Sequence, residues 1–207
     1  RALNQNHIRR FLSFSSIAQT GYLMFIMGIG FFYQLEAAFS ASLFLFLVIA
    51  VMKCLAFLSA GIYEYHFDTG TIDDLQGVYT LMPSTAYFFS LSLAGLAGIP
   101  LLAGFTGKWL IFSAAISTGD TFAILGVILF LISTLIGLGG YLPMIVKQFI
   151  KSDLQSEIIT SSQRPQRPLL WMKIPVGVLS LLVVIMGLYP APWLNIVDWI
   201  INWMISL

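Results

Sequence analysis

Five stretches of this chain are each long and apolar enough to cross a lipid bilayer, which takes roughly 20 apolar residues in a helix. They are Phe11–Phe32, Ala37–Ile62, Pro83–Ile116, Thr121–Val146 and Leu169–Leu188. Inside hydrocarbon, backbone groups can bond only to each other, so spanning segments are helices or closed barrels. Runs this long and continuous read as helices rather than as the short alternating segments of a barrel. The expected fold class is therefore all-α, a polytopic transmembrane helical protein with about five spans. The tail Trp193–Leu207 carries Asp198, Trp193, Trp199 and Trp203, and Pro190 and Pro192 set it apart. It reads as an interfacial helix or the end of a packed one, not as a sixth span.

Composition agrees by exclusion. Only 9% of the 207 residues are charged, against roughly 25% in soluble domains. That is too few to coat a water-facing enzyme of this size. A net charge of +1 gives no footprint for nucleic acid. The 17 Phe, 8 Tyr and 5 Trp exclude disorder. Cys54 is single, and no GxGxxG or P-loop pattern occurs, so no cofactor is expected in this chain. His7 and His66 have no second ligand nearby in sequence, so no metal is expected either. The chain begins at Arg1; either a leader has been removed or the start lies inside a longer product.

The segments between spans divide the chain. Residues 1–10 form an inner-side segment, residues 11–146 the first four spans, residues 147–168 a polar lateral loop, and residues 169–207 the terminal span with its tail. The links Tyr33–Glu36 and Ser117–Asp120 are short, which makes the helices they join antiparallel neighbours. Of the ten Lys and Arg, eight fall on the side of the N-terminus or at its helix ends: Arg1, Arg9, Arg10, Lys147, Lys151, Arg164, Arg167 and Lys173. By the positive-inside rule that side faces the matrix or cytoplasm.

The two remaining cations, Lys53 and Lys108, lie within spans. A lysine there costs about 3 kcal/mol on insertion scales. Lys53 either bonds to carbonyls of a neighbouring helix or stands on an ion path, and its depth favours the path. Lys108 ends a stretch with Gly95, Gly98, Pro100, Gly104 and Gly107. Pro100 removes a helix hydrogen bond and the glycines loosen the run. A straight helix over 83–116 would measure about 50 Å, far more than a bilayer core. A discontinuous third span satisfies both observations, and a lysine beside such a break finds carbonyls and water to support its charge. Ser15, Ser16, Gln19 and Thr20 share a face of the first span at spacings of three and four. They serve either a hydrated surface or bonding between helices.

The stretch HIRRFLSFSSIAQTGY at 7–22 resembles the pattern [DN]IKRLLAYSSIxxxGY of the proton-translocating antiporter-like family. KCLAFLSAG at 53–61 resembles its KALLFLxAG. DDLQG at 73–77, MPSTA at 82–86 and SLAGLAGIPLLAGFTGKW at 92–109 resemble its DLxGLxxxMPxxA and LSLAGIPPLAGFxGKF. His7 stands where the pattern has Asp or Asn, Arg9 where it has lysine, and Ile49 where a histidine often precedes the Lys53 position. Members of this family carry two inverted five-helix repeats, each with a broken helix. The resemblance implies the C-terminal half of a protein like complex I subunit N, or chain 2, holding most of the second repeat, whose half-channel opens to the far side. It implies proton transfer through Lys108 and Lys53, with the break at Pro100, Gly98, Gly104 and Gly107. Ser15, Ser16, Gln19 and Thr20 would line water. The redox chemistry would lie in other membrane-arm subunits, and a separate polypeptide would supply the N-terminal half. The implied location is the mitochondrial inner membrane, or a bacterial or archaeal plasma membrane. The rival readings are a subunit of an Mrp-type Na+/H+ antiporter or membrane-bound hydrogenase, and a structural membrane subunit without pumping.

Overall fold

The computed structural model describes residues 2–67, 70–150 and 170–205. Among these it is nearly all helical. The elements are α1 (Ile8–Tyr33), α2 (Glu36–Phe67), α3 (Val78–Leu81), α4 (Pro83–Ala97), α5 (Ala103–Ser117), α6 (Thr121–Phe149), α7 (Leu170–Leu188) and α8 (Ala191–Ile205), with 3-10 turns at Ala2–Asn4 and Asp73–Leu75. By length and composition α1, α2, α6 and residues Trp171–Leu188 of α7 are each able to cross a membrane.

Local chemistry explains the boundaries. His7 enters α1 in extended geometry, and Gln34 ends it in the left-handed region, its N–H returning to Gly30 O. That is a one-residue αL cap, and with only Leu35 beyond it α2 folds back against α1. Pro83 stands in the first turn of α4, where its missing N–H costs nothing. Asp120 caps α6 by accepting from Phe122 N at 2.7 Å.

The third span is broken as expected. Helix α4 stops at Gly98, whose φ of 86° only glycine adopts without strain. The N–H groups of Gly98 and Ile99 both return to Ala94 O at 3.1 Å. Pro100 and Leu101 then carry the chain across to α5, with Leu101 at φ 74°. Gly104 and Gly107 lie inside α5 rather than at the break. A Cβ on Gly104 would run into Gly95 O of α4, and one on Gly107 would come 2.7 Å from Leu45 of α2. Their role is close approach, the means by which membrane helices gain contact.

Helix α2 is central. Phe44, Val48, Met52, Leu55, Ala56, Ala60 and Tyr63 are all buried, and they join a core with Phe89 and Leu93 of α4, Val176 and Val183 of α7 and Val197 and Ile201 of α8. Helix α8 is thus a packed terminal helix. Ser40 Oγ of α2 donates to Asp198 at 2.6 Å, while Trp199 and Trp203 stay exposed. A second core joins Ile26 of α1, Leu45 of α2, Ile111 and Ala115 of α5 and Val127 and Phe130 of α6.

Two boundaries move. Helix α2 runs on to Phe67, past the expected end of the second span at Ile62, and α3 with the 3-10 turn Asp73–Leu75 structures much of the segment that follows. Helix α6 continues to Phe149 and absorbs Lys147 and Gln148, the start of the expected lateral loop; its part at 151–168 lies outside the described residues. The extra turn follows from pairing: Lys147 is held by Asp73, and Gln148 is fully buried against Tyr63.

Candidate functional site

The longer α2 puts Lys53 near the middle of a 32-residue helix, deeper than its sequence position within 37–62 implies. It is 8% exposed. Its Nζ donates to Leu12 O of α1 at 2.7 Å and to Ser15 Oγ. Among the described residues no carboxylate bonds to it, and dipoles of the neighbouring helix hold the group.

Lys108, one turn into α5, reaches back across the break. Its Nζ donates to Leu96 O and Ala97 O, each at 2.9 Å. These are the last carbonyls of α4, which the break leaves without a helical donor. A cation at a helix C-terminus also meets the negative end of the helix dipole. Gly98 permits this contact: a Cβ there would stand 3.0 Å from both Lys108 Cδ and Nζ.

Beside Lys108 lies a cavity of about 100 Å³. Ser15, Gln19, Lys108, Ser133, Thr134 and Tyr141 are among its lining residues. It has room for a few waters, and its walls offer the polar partners that ordered water needs. Gln19 Nε2 donates to Tyr141 OH at 3.3 Å, while Gln19 Oε1 and Thr134 Oγ1 are buried without a partner. A narrower space lined by Gln19, Met52, Gly95, Gly104 and Lys108 adjoins it. The cavity touches Lys108 directly and Lys53 through Ser15.

The serine and threonine residues of α1 divide. Ser15 and Gln19 are buried toward the cavity. Ser16 and Thr20 turn aside and bond back to Leu12 O and Ser16 O of their own helix, each at 3.0 Å. Pro100 is exposed at the break. Tyr141 is the participant that sequence reasoning missed. Its signal was its spacing from Thr134 and Gly137, which puts it on their helix face, where all three line the cavity.

An intact helix and a broken one, each with an internal lysine, in a chain whose described residues hold four helices able to cross a membrane, define a polytopic membrane protein. The chain belongs to the family described as "NADH:quinone oxidoreductase/Mrp antiporter, TM", whose model matches residues 1–137. That match includes both lysines and the break. The chain is 30% identical over 202 residues to the NADH-quinone oxidoreductase subunit N of Geotalea uraniireducens, covering 97% of this chain and 40% of that protein. It is 29% identical over 209 residues to the subunit N of Buchnera aphidicola, covering 95% and 40%. The chain therefore spans well under half the length of the curated relatives it matches. Among solved structures, a membrane-bound sulfane sulfur reductase described as an archaeal respiratory membrane complex superposes with TM-score 0.78 at 25% identity, covering 97% of this chain and 38% of that one. A chain of respiratory complex I from Thermus thermophilus gives 0.67 at 25% identity, covering 94% and 41%. The Mrp complex of Dietzia gives 0.78 at 21% identity, covering 95% and 42%, which shows a common fold.

Proposed function

We propose that this chain is part of a proton-translocating membrane-arm subunit of a complex I type NADH:quinone oxidoreductase, and that protons pass between Lys108 and Lys53 through the cavity water. The observation that carries this reading is the cavity shared by Lys108 and by Ser15, the partner of Lys53. A lysine held only by carbonyls, a hydroxyl and water loses little when it gives up its proton, whereas one locked to a carboxylate would not release it. Redox chemistry belongs to partner subunits, and this chain contributes as a non-redox part of the enzyme. Further helices of the two-repeat unit cover the apolar side chains that α1 and α6 leave outward, such as Met24, Phe32, Leu129 and Leu135. In our reading the membrane is the mitochondrial inner membrane or, as for its bacterial relatives, the plasma membrane. The end carrying Arg9, Arg10 and Lys147 faces the matrix or cytoplasm, as their common placement at one end of α1 and α6 supports.

The test is Lys108→Ala in the assembled complex, with proton translocation and substrate oxidation measured in sealed vesicles. Assembly is expected to persist while translocation falls. A normal proton-to-electron ratio would make Lys108 a packing residue and overturn the reading.

A further inference from the structure

A second group of titratable side chains stands at the inner end of the molecule, outside the lysine cavity. The segment before α1 pairs with the chain after α2. Ile72 N donates to Asn6 O at 2.7 Å and Ile8 N to Gly70 O at 2.8 Å, so His7 and Thr71 form a small antiparallel bridge. That bridge lays the His7 ring over Gly70. The carboxylate of Glu64, in the last turn of α2, comes to the same point. A Cβ on Gly70 would stand 2.5 Å from His7 Cε1 and 2.7 Å from Glu64 Oε1. Only glycine leaves room for the two groups to converge there.

Arg9 holds Glu64 Oε2 at 2.6 Å, which leaves Oε1 to face inward. Glu64 Oε1 and His7 Nδ1 are both buried without a hydrogen-bond partner. Buried polar atoms of that kind are rare and call for water or an exchanging proton. The other charged or titratable groups nearby are Arg10 on α1, His66 on α2, whose Nε2 is also buried without a partner, and Asp73 and Asp74 on the following turn. Asp73 is taken up by Lys147 and Asp74 by Thr71. Among the described residues, Glu64 is therefore the carboxylate left to His7. The turn Ala2–Asn4 lies just before this bridge, and its Ala2 and Leu3 line the lysine cavity.

We infer that His7 and Glu64 form the site at which this chain exchanges protons with the compartment on the Arg9 side, passing them to the cavity bounded by Ala2, Leu3, Ser15 and Lys108. This rests on the proton-path reading and adds an inner mouth to a path whose far-side opening the resemblance implies. The imidazole binds a proton from the aqueous side at one ring nitrogen and releases one from the other to cavity water. Glu64 balances the charge while both nitrogens are protonated. One proton moves and no electron does; the imidazole ends in the opposite tautomer, and a ring flip or proton exchange with water returns it to its starting form.

The experiment uses the assembled complex in sealed vesicles and measures proton translocation from mildly acidic to alkaline pH. Variants are His7→Asn, Glu64→Gln and Lys108→Ala. His7→Asn is expected to translocate normally at acidic pH and to lose activity several-fold at alkaline pH, where free protons are scarce. Added imidazole should restore it. Glu64→Gln should show the same alkaline loss, and it carries the readout if His7→Asn does not assemble. A wild-type pH profile in both variants, with Lys108→Ala silent, would overturn this inference and leave the proton path standing. An equal loss at every pH without imidazole rescue would also overturn it, because it would make His7 only a clasp for the Ile8–Gly70 pairing. Normal translocation by Lys108→Ala would overturn the path itself.

Discussion

Gly104→Ala is the sharpest test of how the broken span is built. In the structure an added Cβ at Gly104 collides with Gly95 O across the α4–α5 crossing and stands 3.1 Å from Met52 Cε. The methionine can shift; the carbonyl belongs to a helix backbone and cannot. The two half-helices must separate, at a cost of about 1–3 kcal/mol for overpacking. Alanine in a helix interior recovers up to about 1 kcal/mol of propensity over glycine, so two controls isolate the contact. Gly139→Ala in α6 has nothing within 4 Å of its new methyl and is expected to be neutral or slightly stabilising. Gly107→Ala meets the flexible end of Leu45 at 2.7 Å and its Cα at 3.4 Å, and should fall between the two. The assay is retention of this chain in the extracted membrane complex after graded heating. Gly104→Ala should lie about 1–3 kcal/mol below Gly139→Ala, the overpacking cost alone, because the propensity gain is common to both and cancels. If the two behaved alike, the close crossing of α4 over α5 would be wrong, and with it the placement of Lys108 on the α4 carbonyls.

Gln148, fully buried, accepts from Tyr63 OH at 2.9 Å and donates to Ser90 Oγ at 3.3 Å. Gln148→Leu should therefore cost about 1–3 kcal/mol by stranding the buried tyrosine hydroxyl, and adding Tyr63→Phe should recover part of that loss in a thermal-stability cycle. Leu101 holds a left-handed φ of 74° at an exposed position; Leu101→Gly should raise the melting temperature by relieving about 1 kcal/mol of strain, and a lower one would show that its side chain matters more than its backbone. Asp120 is pulled below the usual carboxylate range by the hydrogen bond from Tyr33 and by Phe122 N. Its folded value is depressed, so its stabilisation is complete above the ordinary carboxylate value and drains away as pH falls through the lowered one. Asp120→Ala should flatten the acid side of the stability–pH curve, and an unchanged acid limb would remove Asp120 from that role.

The broken span and both lysines were legible because each violates its surroundings. A charge in an apolar run, or Pro100 among glycines in a segment too long for one crossing, has few explanations inside a bilayer. What the sequence hid depends on which helix lies opposite. Ser15 and Ser16 are adjacent in a polar cluster, yet only Ser15 faces α2, and no periodicity within α1 reveals where α2 will dock. Gly104 and Gly107 read naturally as loosening residues beside Pro100. That they are contact points follows only from the approach of Gly95 and Leu45. Gln148 sits next to a polar stretch and reads as loop, because its partner Tyr63 lies far away in sequence. Hydropathy places residues in or out of the membrane; it does not pair them.

The two lysines are held in unlike ways, and the difference bears on how each releases its grip. Lys108 has two carbonyls to itself, and they exist because the helix breaks where it does. In a continuous helix Ala97 O would accept from Leu101 N, while Leu96 O would still lack a helical donor, because Pro100 four residues on has no N–H. The break and the lysine are thus one device for solvating a cation without a carboxylate. Lys53 has no break to draw on and borrows Leu12 O from an intact helix. That oxygen also accepts from Ser15 Oγ at 2.7 Å and from Ser16 Oγ at 3.0 Å. A carbonyl offers two lone pairs, so three side-chain donors compete for one acceptor. When Lys53 lets go, Ser15 and Ser16 remain to satisfy Leu12 O, and no buried polar atom is stranded. When Lys108 lets go, Leu96 O and Ala97 O are left to water alone. In the proposed proton path, release is therefore cheaper at Lys53 than at Lys108, and departure of a proton at Lys108 requires that the cavity be wet.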